Sequence, residues 1–530
     1  MYKILVSDKL GKTGLDILEQ AEDAVYDMKL GLSKEELIAI IPEYDGLIIR
    51  SGTRPDADII GAATNLKVIG RAGIGVDNID RQAATMNGVI VMNTPTANSI
   101  ATAEQTMALM LAGSRHTATA HASLLAGEWA RSQFVGTELY NKTLGIIGFG
   151  NIGKLVAKRA QGFGMTVVAY DPFVPEEIAQ ELNVTLLDLE DLLPQADYIS
   201  LHTAVTPSTT KMINAETIAQ MKDGVILVNV ARGKLIDEPA LADALTSGKV
   251  KSAAIDVYSS EPPAADNPLL GLSNVLHTPH LGASSIEAQQ AVATQIAEQV
   301  LDALRGTDFR NALNMPFRVG DEGFSALKLY IELGEKLGAM QAALANGRIT
   351  KIELEVDGVN ATRSIKAIAA GITMGVLRQT YDGPLNYINA PILAEEKGII
   401  TAQTTDIPIL GTYANLVLCR VHWDGGSQLL GGTLFGGNEP RIVRMNEYRL
   451  DARPEGVVLM LENQDETGVV GQIGTILSAY KINIGEWRMG RLAAGGNSIS
   501  FLNLDSEPSA EVLKALEQIT AVTRAKLIIF

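Results

Sequence analysis

Three polar residues stand just past short apolar runs in the middle of the chain. Arg232 closes Val228-Asn-Val-Ala-Arg-Gly, Glu261 follows Asp256-Val-Tyr-Ser-Ser, and His280 lies in His277-Thr-Pro-His-Leu-Gly. This set suits removal of hydride from a 2-hydroxy acid. A histidine, ionising near neutrality, can take the hydroxyl proton. A carboxylate on its far ring nitrogen would fix the tautomer and raise its basicity, the role that falls to Glu261. An arginine can bind the acid's carboxylate and polarise the developing carbonyl. Singly, each also reads as a structural loop histidine or a solvated charge; their chemistry depends on convergence.

A hydride needs an acceptor. The apolar run Thr143–Ile147 leads into Gly148-Phe-Gly150-Asn151-Ile152-Gly153 and then a helical stretch, Lys154–Gly162. Such a turn lets pyrophosphate approach the backbone and the free amides of a helix N-terminus. Asp171 closes the next apolar run, where a carboxylate hydrogen-bonds a ribose diol and repels a 2′-phosphate, so NAD is expected over NADP. His202-Thr203, at the end of another run, is expected beside the nicotinamide; His116, His121, His277 and His422 read as structural.

These residues need a scaffold that gathers strand ends. Over the first ~310 residues, β-branched runs alternate with helical patterns, the rhythm of βαβ units and parallel sheets. Ligands of open α/β sheets bind at the carboxyl ends of strands, where all the residues above fall. About a hundred residues precede the glycine motif, so a complete α/β block comes first. A helix over Ser99–Arg115 would lead into the second block, and a long helix after Ser284 would return. Beyond residue 317 glycine-rich strands and apolar helices follow, and from Val457 the order becomes strand, helix, strand, strand, helix, strand. The expected α/β architecture is therefore two Rossmann-like doubly wound domains, an α+β domain and a ferredoxin-like βαββαβ domain. Their expected spans are 1–98 with 288–316, 99–287, 317–453 and 456–530.

Composition narrows the rest. The chain has 530 residues, too many for one core. A net charge of −17 argues against nucleic acid as a partner, though not against a small anion held by a few arginines. The single cysteine, Cys419, permits no intrachain disulfide and no cysteine-based metal cluster, so no metal is expected and a reducing, cytoplasmic setting is. The opening Met1-Tyr-Lys-Ile-Leu-Val reads as a strand, and no apolar run reaches membrane-spanning length.

Taken together, the glycine motif with Asp171, Asn229-Val-Ala-Arg232-Gly-Lys-Leu-Ile-Asp-Glu238, Asp256-Val-Tyr-Ser-Ser-Glu261-Pro and Pro279-His280-Leu-Gly-Ala-Ser resemble the D-isomer-specific 2-hydroxyacid dehydrogenases. The resemblance covers residues ~1–315 and implies Arg232, Glu261 and His280 as catalytic residues. It also implies Asn151, Ile152, Asp171, Val230, Ala231, Arg232, Asp256, His280 and Gly282 as nucleotide contacts. Leu47-Ile-Ile-Arg50-Ser51, Arg71-Ala-Gly73 and Thr96-Ala-Asn98 are similar to the substrate loops of the phosphoglycerate dehydrogenases, which implies Arg50, Ser51, Arg71, Gly73, Asn98 and Arg131 around 3-phosphoglycerate. Residues ~317–453 resemble that group's intervening domain and ~456–530 an ACT domain. The latter implies an L-serine effector near Asn463, Asp465 and Asn483, and a homodimer or homotetramer. Two other readings use the same fold: a reductase of glyoxylate or hydroxypyruvate, and an NAD-sensing corepressor-like protein. The long C-terminal architecture disfavours the first and the intact trio the second.

Overall fold

The computed structural model describes residues 1–319, 323–405 and 413–530. Apolar runs that tolerate burial on both faces form its first parallel sheet. Strands β1 (Tyr2–Val6), β2 (Ala24–Met28), β3 (Gly46–Ile49), β4 (Val68–Arg71) and β5 (Ile90–Met92) lie in the order β2-β1-β3-β4-β5. β3 is buried along its whole length, whereas β2, at the edge, is mostly exposed. The helix Ser99–Ser114 leads out of this block and the helix Ile286–Arg305 returns to it, laying Ile296 and Val300 against β4.

The second sheet is also all parallel. It comprises β6 (Thr143–Ile147), β7 (Thr166–Tyr170), β8 (Thr185–Leu186), β9 (Tyr198–Leu201), β10 (Val225–Asn229), β11 (Val250–Ile255) and β12 (Val275–His277), ordered β12-β11-β10-β9-β6-β7-β8. Strand order reverses at β6 and β9, opening a crevice at their carboxyl ends.

The third sheet pairs β13 (Ile349–Asp357) with β14 (Ile400–Thr405) in parallel, then adds β15 (Leu416–Trp423), β16 (Gly426–Phe435), β17 (Glu439–Met445) and β18 (Tyr448–Ala452) antiparallel. Cys419 is buried in β15, where the Gln341 amide donates to its carbonyl at 2.6 Å. The last block is the expected βαββαβ unit: β19 (Val457–Gln464), helix Val469–Ala479, β20 (Ile484–Arg491), β21 (Asn497–Leu504), helix Ala510–Glu517 and β22 (Val522–Ile529). Its sheet runs β20-β21-β19-β22.

Core continuity divides the molecule unequally. One apolar core runs from Ile352 and Val421 of the third sheet into Met460, Phe501 and Ile528 of the fourth. Another joins Ile4, Ile48 and Ile296 of the first block to Ile331, Ala370 and Ile388 beyond it. Asn386 and Asn389 reinforce that junction by donating to the Gly88 carbonyl at 2.8 Å and the Met86 carbonyl at 3.2 Å. The second block keeps its own cores around Leu227 and Val228. Among the described residues no helix is long and apolar enough to cross a membrane.

Two helices of the third block, Phe324–Leu344 and Ile365–Leu377, approach through glycines four apart on each. A Cβ at Gly338 would stand 2.1 Å from the Ile372 carbonyl oxygen, and one at Gly371 would stand 2.2 Å from that of Ile331. Neither backbone can yield without parting the pair. Gly338→Ala is therefore expected to lose about 1–3 kcal/mol of stability, the usual cost of overpacking. Denaturant unfolding of wild type and variant checks this; equal midpoints would contradict it.

Candidate active site

At the end of β6 the chain turns through Gly148 with φ +98, and a Cβ there would meet the His202 carbonyl carbon at 2.6 Å. The turn therefore sits directly against His202-Thr203, which brings Thr203 beside the glycine loop. Gly150 precedes the helix Asn151–Gly162 without a side-chain cap, leaving the N-terminal amides around Asn151, Ile152 and Gly153 for a phosphate. Asp171 accepts from the Phe149 amide at 2.8 Å and the Phe173 amide at 3.0 Å, so the carboxylate expected at the ribose also braces the glycine loop. The uncapped helix, the cramped turn and this carboxylate fit a dinucleotide.

The ends of β10, β11 and β12 build the other wall. Asn229 accepts from the Ala231 amide at 3.0 Å and donates to the Arg232 carbonyl at 2.9 Å, fixing the turn that aims Arg232. The Arg232 guanidinium donates through Nε to Asp77 at 2.9 Å and through Nη1 to the Ala231 carbonyl at 2.7 Å. Asp77 belongs to the first block, so this ion pair crosses the cleft. Val230 is buried and lies against Gly282, whose Cβ would be 3.1 Å from Val230 Cγ1.

Asp256, expected as a nucleotide contact, stands at the base of the His280 loop. Its carboxylate is wholly buried and takes the Leu281 and Gly282 amides at 2.8 and 2.9 Å as well as the Thr278 hydroxyl. Its own carbonyl accepts from the His280 amide at 2.8 Å. Burial commits the side chain to the loop. Held this way, His280 adopts φ 54, and its Nδ1 meets Glu261 Oε2 at 2.6 Å. Nε2 is then the ring nitrogen left for chemistry. Burial pushes the Glu261 carboxyl up, but the His280 hydrogen bond and charge, the Tyr258 amide and the Arg232 field outweigh it and leave it below its ordinary value.

Between the first block and the start of the returning helix is a cavity of about 230 Å³ whose lining includes Arg50, Gly73, Asn98 and Ala283. Asn98 Oδ1 is buried without a partner. Asp8 takes the Arg50 and Thr53 amides at 2.6 and 3.0 Å, and Asn78 donates to both their carbonyls, which shapes the Arg50 loop. Arg71 donates from Nε to Asn78 at 2.8 Å and lies within the fields of Arg232 and Arg50. Burial, then those two charges, lower its guanidinium to about 10, against the pull of Asp77 and Asp8. The cavity also takes in Lys9 and Gln289, which the sequence reading missed. Lys9 lies just past the end of β1 and Gln289 in the first turn of the returning helix, so the carboxyl-end rule could have found the lysine. Ser51 is exposed and is not part of the lining. Nor is Arg131, which opens an exposed turn after the helix Thr117–Leu125.

The expected effector residues are largely spent within their own block. Asp465 pairs with Arg491 at 2.8 Å and Asn483 donates to Asp505 at 2.7 Å. Asn463 is buried, with Oδ1 unpartnered.

Residues 107–282, which hold the glycine loop and the whole Arg232, Glu261 and His280 wall, match the D-isomer specific 2-hydroxyacid dehydrogenase NAD binding domain; residues 326–446 match the D-3-phosphoglycerate dehydrogenase intervening domain. The chain is 42% identical over 520 residues to D-3-phosphoglycerate dehydrogenase of Methanocaldococcus jannaschii, covering 98% of each chain. It belongs to the D-3-phosphoglycerate dehydrogenase family. The enzyme of that name from Bacillus subtilis is 38% identical over 529 residues, covering 100% of this chain and 99% of its own. Among solved structures, D-lactate dehydrogenase from Aquifex aeolicus complexed with NAD and lactic acid aligns at a TM-score of 0.53 and 27% identity, over 57% of this chain and 96% of that one. As a member of this family the protein is an NAD-dependent dehydrogenase with an α/β 2-hydroxyacid dehydrogenase fold.

Asp171 should govern the choice of nucleotide. Asp171→Ala is expected to raise the KM for NAD about tenfold or more, the worth of a charged hydrogen bond, and to narrow the gap to NADP. Steady-state kinetics with both nucleotides checks this. A wild type that already prefers NADP would contradict it.

Proposed function

We propose that the protein oxidises 3-phospho-D-glycerate to 3-phosphohydroxypyruvate, the first step of the phosphorylated route to L-serine. The observation that carries this reading is the gathering of Arg50, Arg71 and Arg232 on one cleft, with Asp77 and Asp8 as the opposing charges. A substrate bearing a carboxylate and a phosphate satisfies such a cluster, since guanidinium forks suit both groups. Glyoxylate or hydroxypyruvate would leave much of it uncompensated. The names of the full-length relatives support the same substrate.

NAD, which the glycine loop and Asp171 would hold, would supply the hydride acceptor. Arg232 binds the carboxylate and draws electron density toward the forming carbonyl. His280 Nε2 takes the C2 hydroxyl proton, and Glu261 stabilises the resulting imidazolium through Nδ1. His280→Ala is expected to cut turnover by roughly 10²–10⁴, the usual worth of positioned acid–base catalysis. Assays with NADH on 3-phosphohydroxypyruvate, glyoxylate and hydroxypyruvate test the substrate. Preference for an unphosphorylated acid would overturn it, and an undiminished variant would remove His280 from the mechanism.

We further propose a cytoplasmic homodimer or homotetramer that senses L-serine through its last block. The helix Thr117–Leu125 buries no residue of its own, and Leu124, Leu125 and Trp129 are 57%, 76% and 83% exposed, which supports an arm covered by a second copy. The orphaned Asn463 oxygen supports a polar ligand in the last block. Because the proposed site lies far along the chain from the cleft, serine acts only by favouring one conformational state. Calorimetry with L-serine should register binding. Silence at millimolar serine would leave that block a structural role.

A further inference from the structure

Arg232, Glu261 and His280 stand on three separate loops, so their mutual placement depends on what joins those loops. Asp256 joins the β11 and β12 loops. The β10 and β11 loops are joined by a side chain with no part in the chemistry above. Glu238 opens the helix Glu238–Ser247, six residues after Arg232, and is 8% exposed. Its Oε1 accepts from the Ser259 amide at 2.7 Å, and its Oε2 from the Ser259 hydroxyl and the Asn267 amide, both at 2.8 Å. Ser259 is two residues from Glu261, and the adjoining Tyr258 amide donates to Glu261 Oε1 at 3.2 Å. The two backbones touch here: a Cβ on Gly233 would stand 1.9 Å from the Tyr258 carbonyl carbon.

A carboxylate at a helix N-terminus is favoured by the helix dipole, but an exposed one serves as well. Burying it behind neutral donors costs desolvation that the dipole does not require. The Glu261 side chain itself is 38% exposed and, without a fixed turn beneath it, would swing into water. We infer that Glu238 is a positioning residue, a clasp between the Arg232 and Glu261 loops that sets the Glu261 carboxylate against His280 Nδ1 without touching substrate or cofactor. The inference rests on the reading of Glu261 and His280 as the proton-transfer pair. Besides His280 itself, the charged group whose field reaches Glu261 is Arg232.

Oxidation needs Glu261 held on His280 Nδ1 so that Nε2 faces the C2 hydroxyl. Loosening the clasp should therefore lower kcat while leaving nucleotide binding intact. Glu238→Gln turns one acceptor oxygen into a donor facing donors; kcat should fall by up to about 100-fold, the scale of a 1 Å misplacement, with the KM for NAD unchanged. Adding Asn267→Asp exchanges donor and acceptor across the contact and should recover most of kcat. Ser259→Ala, a milder change, should lower kcat in the same direction, again with the KM for NAD unchanged, and decides the matter if Glu238→Gln fails to fold. Wild-type kcat in the folded single variant would overturn the inference, as would a double variant that regains only its melting temperature. His280→Ala run alongside separates the failures. If it loses turnover while Glu238→Gln keeps it, only the clasp falls; if it keeps turnover, the proton-transfer pair falls and the clasp with it.

Discussion

The cleft depends on a polar side chain that water cannot reach. Asp256 sits at the end of β11 with no exposed surface, and a carboxyl group is tolerated there only if its oxygens are engaged. Its donors all come from residues 278–282, so the loop that carries His280 has little freedom. The left-handed backbone at His280, unfavourable for a residue with a side chain, follows from that anchorage. Val230 closes on Gly282 from the neighbouring loop, and the walls of the site become one interlocked edge of the sheet.

Against this rigid edge stands a block that belongs mechanically to the other half of the molecule. The first sheet shares its core with the helices of the third block, and the third sheet shares its core with the fourth. The nucleotide block joins them through the helices Ser99–Ser114 and Ile286–Arg305 and through the Asp77–Arg232 pair across the cleft. Substrate side and nucleotide side therefore keep separate cores across the cleft. Any influence from the C-terminal blocks reaches the chemistry as displacement of the arginine loops relative to the His280 edge.

Much of this was legible in the sequence because strand ends in a parallel sheet are marked twice, by the end of an apolar run and by an unusual polar residue after it. Asp171, Arg232 and His280 all carry that double mark, and Gly148 ends its run in a glycine motif instead. The final βαββαβ order was equally plain, its helices and strands differing sharply in period. What escaped had a weaker signature. β2 is an exposed edge strand whose side chains need not be apolar, and β16 is interrupted by paired glycines, Gly431 and Gly432, that resemble a turn. The burial of Asp256 under the His280 loop could not be read from an isolated aspartate. The Asp77–Arg232 contact, 155 residues apart in sequence, exists only once two sheets face each other.

Cys419 carries a consequence of a different kind. It lies in the shared core of the third and fourth sheets, where burial pushes its thiol up to about 12 despite a hydrogen bond from Gln341. The thiolate is the reactive species, so in the folded state this sulfur is closed to disulfide reagents and oxidants alike. It becomes reactive only when the C-terminal core opens. Because the chain has no other thiol, the rate at which it takes up a label is a clock for that opening, built into the native sequence.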